Sequence, residues 1–401
     1  MEPEFHDRKR VDQPSEAGNS PVPPAPDLYP RYRSDLDWLL NRQGSLRAGW
    51  VIAIFILLYR LFVLIFGTVA VTLYPALVKF DYSPSTALAS ELVPFFAMLA
   101  AAGLLSAVER RSLSEYNLGG RRRTRNFLFG LTAGFLALST LVAALTGGGW
   151  LHFGPVALTG ADVLKFGALW GCTFLVVGCF EEGIFRCFLL STLSRSLNFW
   201  WALGVVALVC LDLVMRSKGI LGIVSLLWLS PRAEIAGNGL WGVFAVALLG
   251  LVPCLLLELR KVEGSGFWQA AWVTSTVFGY IHTSNKGENW IGIFAAAAIG
   301  FVFCVSIWAT GSAWWAIGCH AGWDWAETYF YGTADSGLPA QGHLLTTSPV
   351  GNVLWSGGTD GPEGSLLVLG IILLLLIAVL VIYGRKRVMA TTVAELSVSA
   401  G

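Results

Sequence analysis

The chain has 401 residues, of which 55% are hydrophobic and 13% charged, and its formal net charge is +1. An ordinary soluble domain carries roughly 25% charged residues, so this composition excludes a protein that covers its surface with polar groups. The lipid bilayer is an expected partner, and nucleic acid is not.

Residues 1–47 are rich in proline and charge, and the prolines between positions 21 and 30 recur too closely for a helix. A disordered or membrane-skirting tail is expected there. No short apolar run with a cleavage site opens the chain, so no secretory signal peptide is expected and the first span stays in the mature protein.

A bilayer core needs about 20 helical residues. Apolar stretches of that order follow at 50–78, 87–108, 127–145, 163–190, 199–215, 240–257, 267–281, 290–309, 313–330 and 365–383. They predict an all-α, polytopic transmembrane helix bundle of about 8–10 spans over residues 48–388, with a C-terminal tail at 389–401. The apolar run 220–229 is too short to span and is expected to be interfacial or re-entrant. No internal repeat is evident. The seven cysteines all lie in apolar segments and read as packing residues rather than a disulfide framework.

Lys and Arg collect in short cytoplasmic loops. With ten spans, the basic tail before Trp50, the run Arg121, Arg122, Arg123 and Arg125, Arg195, the pair Arg260 and Lys261, and Arg385, Lys386 and Arg387 all fall on one side. The loops 147–161 and 332–364 contain neither Lys nor Arg and fall on the other. Arg216, Lys218, Arg232 and Lys286 depart from the pattern. Both termini are therefore expected in the cytoplasm, in a multi-pass protein of the plasma (inner) membrane.

An ionisable residue inside a span costs several kcal/mol unless it is paired or watered, which makes it a functional candidate. In Cys179-Phe180-Glu181-Glu182-Gly183-Ile184-Phe185-Arg186, Glu182 and Arg186 stand at i and i+4 and can pair on one helical face. Glu181 then points elsewhere, as a free base needs to. A buried ion pair that merely fixes register explains Glu182 and Arg186 equally well. Downstream, Phe278 and His282 share a face, so Phe278 can wall a pocket that His282 enters. Asp324 sits one turn below His320, placed to accept its ring N–H and fix its tautomer.

These elements resemble the CPBP intramembrane endopeptidases, the Abi or type II CAAX prenyl protease family, whose signature is E-E-x-x-x-R, F-x-x-x-H and H-x-x-x-N or D on separate helices. Glu181, Glu182 and Arg186, then Phe278 and His282, then His320 and Asp324 match it in order, within a core of about 118–331. The resemblance implies a peptidase in which Glu181 with His282 activates water. His320 with Asp324 stabilises the oxyanion, and Glu182, Arg186 and Phe278 support the site. The implied substrate is a membrane-embedded or lipidated protein or peptide. No cofactor is favoured; a zinc variant would use Glu181, His282 and His320.

Two features depart from the family pattern. An insert at about 190–266 separates the first and second motifs and holds two additional spans. Glu182 also lies toward the inner half of its span, whereas His282 lies near the outer end of its own. The H-E-x-x-H, G-x-S-G, G-x-G-D and G-x-x-x-x-G-K-[ST] motifs are absent from the sequence. The alternatives are a secondary transporter or proton relay, with Glu91, Asp212 and Glu327 on its path, and a catalytically idle scaffold or immunity protein on the same fold.

Overall fold

The computed structural model describes residues 46–79, 82–195, 199–217, 239–262, 264–285, 287–335, 337 and 340–384. Most of the expected N-terminal tail, the run 220–229 and the C-terminal tail lie outside them. Each expected span falls on a helix. These are α1 (Ala48–Leu73), α2 (Pro84–Glu109), α3 (Arg123–Gly147), α4 (Ala161–Leu193), α5 (Phe199–Ser217), α6 (Gly239–Leu259), α7 (Ser265–His282), α8 (Trp290–Thr310), α9 (Trp314–Asp324, continued as a π-helix through Trp325–Tyr331) and α10 (Leu367–Gly384). Among the described residues, α1, α2, α3, α4, α8 and α10 are long and apolar enough to cross a bilayer, while α5 and α6 contribute the shorter apolar stretches Phe199–Met215 and Leu248–Leu259. The protein is an integral membrane protein with an all-α bundle.

Local chemistry sets the helix ends. Proline opens α2 at its first turn, where the missing N–H is not needed, and Arg110 closes it in the left-handed region. Asn289 caps α8 by accepting the backbone N–H groups of Ile291 and Gly292. On one face of the bundle, β1 (Leu151–Val156) pairs antiparallel with β2 (Leu345–Pro349). That pairing joins the α3–α4 connection to the long segment between α9 and α10, the two loops that lack Lys and Arg.

The packing of α9 against α3 is the closest in the bundle. A Cβ built on Gly130 would lie 2.0 Å from the carbonyl oxygen of Trp315, and one on Gly134 would lie 2.0 Å from that of Cys319. Reciprocally, a Cβ on Gly318 or Gly322 would lie 2.2 Å from the carbonyls of Phe127 or Leu131. Two small-xxx-small stripes thus interlock, which lets backbones touch where lipid offers no hydrophobic drive between helices. His320 sits inside the second stripe, so this contact places the site.

Candidate active site

Glu181 and Glu182 end the regular part of α4, where the helix widens into a π-helical turn over Gly183–Leu189. Such turns are frequent at functional sites. Asn117 donates from Nδ2 to the carbonyl of Arg186 at 2.7 Å, satisfying a backbone acceptor within this turn. Arg186 and Glu182 are fully buried and pair at 3.2 Å. The guanidinium is enclosed by aromatic rings, with Cζ 4.1 Å from the Phe278 centroid, 5.5 Å from Phe303 and 5.6 Å from Phe185. Cation–π attraction therefore adds to the ion pair in place of water. Gly300 leaves room for the group, since a Cβ there would stand 2.2 Å from Nη2.

His320 joins the two glutamates. Its Nδ1 lies 2.9 Å from Glu182 Oε1, and its Nε2 lies 3.7 Å from Glu181 and 3.4 Å from Asp324. The ring N–H donated to a carboxylate at hydrogen-bond distance therefore goes to Glu182. This differs from the tautomer-fixing role expected of Asp324, because the π-turn brings Glu182 beneath the imidazole. Glu181 meets the imidazole of His320, and it shares the cavity wall with His282.

His282 turns its Nδ1 to the carbonyl of Phe278, 2.8 Å away. A carbonyl can only accept, so Nδ1 carries the proton and Nε2 is left to the cavity. The Phe278 ring stands 4.8 Å from His282 and 6.3 Å from His320, centroid to centroid, and forms the wall between them.

One cavity of about 260 Å³ collects Glu181, Phe278, His282, His320 and Asp324. It continues past Glu91 of α2 to Asp335 and Glu363 in the long segment after α9. α7 delivers His282 at its C-terminal end, α4 delivers Glu181 and Glu182 where its regular turns stop, and α9 delivers His320 from its first half. In the segment after α9, burial and the carboxylates of Asp335 and Asp360 push Glu363 up to about 8. Burial, with Asp335 nearby, raises Asp360 to about 7.

Of the residues named for a zinc variant, Glu181 and His320 stand 3.7 Å apart and share the cavity with His282. Both nitrogens of His320 face carboxylates. Among the described residues, the group whose ligand atoms all come within 4.8 Å of one another is Glu327, Asp335 and Glu363 instead.

Phe303, Asn117 and Gly300 escape a reading of the sequence, because nothing local in α8 or in the turn before α3 marks them as neighbours of Arg186. Glu91, expected on a transport path, stands on the wall of this cavity. Asp212 lies apart from it, accepting a hydrogen bond from Tyr280 in the contact between α5 and α7.

Residues 164–326 match the family model described as type II CAAX prenyl endopeptidase Rce1-like. No curated protein and no solved structure matches the chain. The matched segment runs from α4 into α9 and includes Glu181, His282, His320 and Asp324.

Proposed function

We infer that the chain hydrolyses a peptide bond of a membrane-embedded or prenylated protein, with Glu181 as the base, a reading supported by the match of residues 164–326 to the Rce1-like type II CAAX prenyl endopeptidase model. The observation that carries the reading is the convergence of Glu181, His282, His320 and Asp324 on one membrane-buried cavity. Glu181 takes a proton from water as its oxygen attacks the scissile carbonyl carbon, and that proton passes to the leaving amine when the C–N bond breaks. His282, fixed by Phe278, offers Nε2 to hold the water. His320, set among the three carboxylates of Glu182, Glu181 and Asp324, acts as an imidazolium: Nδ1–H donates to Glu182 and Nε2–H is left to donate to the oxyanion that forms. Arg186 balances Glu182 and keeps the imidazole platform in place.

The transporter reading gains no comparable support, because Asp212 and Glu91 occupy different parts of the bundle. The test is cleavage of a prenylated peptide by the purified protein. Wild type is expected to cut it and Glu181→Gln to fail while folding normally; continued turnover by Glu181→Gln would remove this residue from the mechanism.

A further inference from the structure

We propose that Glu327, Asp335 and Glu363 form a binding site for a hard divalent cation, with Ca2+ as the best fit, separate from the peptidase centre and clamping the α9–α10 segment over the cavity.

The ligand oxygens of these three residues lie within 4.8 Å of one another, close enough for one ion to reach them all. Two independent observations point to a ligand. Glu327 is 0% exposed, and its Oε1 has no hydrogen-bond partner. The Oδ1 atom of the neighbouring, equally buried Asp360 is orphaned in the same way. Buried polar atoms without partners are rare in folded proteins, and a bound ion satisfies oxygens of this kind. One oxygen of each ligand is engaged by a side-chain donor: Trp323 Nε1 donates to both Glu327 at 3.0 Å and Glu363 at 2.7 Å, and Thr328 donates to Asp335 at 2.8 Å. The shared indole N–H draws the Glu327 and Glu363 carboxylates to one point.

The surroundings suit an oxygen-ligated ion. Asp335 and Glu363 line the cavity, so there is space for the ion and for water. Gly361 allows a close crossing, since a Cβ there would lie 2.2 Å from the Ala334 carbonyl and 3.5 Å from Glu327 Oε1. Three segments meet at this point: the π-helical end of α9, the strip 333–335 and the strip 360–364. Three carboxylates with backbone carbonyls nearby match the irregular, all-oxygen coordination that Ca2+ accepts more readily than Mg2+. One ion bound there ties the three segments together at the cavity that also holds Glu181 and His320.

The experiment uses the full-length protein in detergent, stripped with chelator, with Ca2+ and the luminescent analogue Tb3+ as probes. Ca2+ is expected to raise Tm by at least about 3 °C, growing with the logarithm of its concentration as linkage requires. Tb3+ is expected to show tryptophan-sensitised emission that Ca2+ displaces, with Trp323 as the adjacent donor. Both signals should vanish in Glu327→Gln and Asp335→Asn and persist in Glu181→Gln. If Glu327→Gln fails to fold, Asp335→Asn, which alters a less buried ligand, decides the matter. Absence of both signals in wild type, or their survival in both carboxylate variants, overturns the site. Their loss in Glu181→Gln assigns the ion to the peptidase centre and also overturns it. Peptide cleavage is a separate readout, so failure of the cation site leaves the assignment of Glu181 untouched.

Discussion

Glu181 and Glu182 are chemical neighbours with opposite environments: the first side chain is 23% exposed to the cavity, the second 0%. A base needs access to water, and a buried anion needs a cation. Glu182 has that cation in Arg186 and a second contact in His320, so removing its charge strands both. Glu182→Gln and Arg186→Met are expected to destabilise the protein by about 3–5 kcal/mol, the usual effect of breaking a buried pair, read as a lower Tm and a lower yield in membranes. Glu181→Gln should leave both unchanged. Gly300→Ala acts on the same cage from α8, and displacement of Arg186 is expected to cost about 1–3 kcal/mol of stability. The i, i+4 pairing of Glu182 with Arg186 was legible in the sequence because it is local. The Glu182 contact to His320 was not, because it joins residues 138 positions apart across two helices.

At the level of elements, the π-turn after Glu182 and the interlocked glycine stripes of α3 and α9 do the positioning. Both stripes are visible in the sequence as Gly130 and Gly134, and as Gly318 and Gly322. Which partner each would meet is a tertiary fact. Gly134→Leu should push α9 off α3 and abolish cleavage, with a fall in Tm that Gly147→Leu, which has no neighbour within 4 Å, does not share. The insert is fastened to α7 by Tyr280, which donates to Asp212, and by Gln269, which donates to Glu258 at 3.0 Å. The added helices therefore brace the helix that carries His282. The α9–α10 segment carries a pH signature of its own. Asp360 and Glu363 titrate at about 7 and about 8 in the fold, against roughly 4 when unfolded. Between those values the folded state binds more protons than the unfolded one, so stability falls as pH rises from about 4 to about 8. Thermal melts in chelator should follow that slope, and Glu363→Gln should flatten it.

Across the whole molecule, β1, β2 and the carboxylates Asp335, Asp360 and Glu363 lie in the two connections that contain neither Lys nor Arg. From that charge map we propose that these connections face the non-cytoplasmic side. A cysteine at the exposed position Ser348, in a cysteine-free active background, should react with an impermeant thiol reagent from the non-cytoplasmic side; labelling from the cytoplasm alone would invert the assignment. Helix positions were legible because hydropathy is a property of contiguous residues, although among the described residues six of the ten expected spans are long and apolar enough to cross a bilayer. The shared cavity was not, since it depends on how α2, α4, α7, α9 and the segment before α10 pack around one space.

Single-turnover hydrolysis of a farnesylated peptide ending in a Cys-aliphatic-aliphatic-X sequence, by purified wild type and Glu181→Gln with both melting temperatures recorded, tests the central claim most directly. The wild-type protein is expected to cleave the peptide, and the variant to lose about 10²–10⁴-fold in rate at unchanged Tm, the range that general-base catalysis supplies. Cleavage by the variant within about tenfold of wild type, a smaller loss than that range allows, would contradict it.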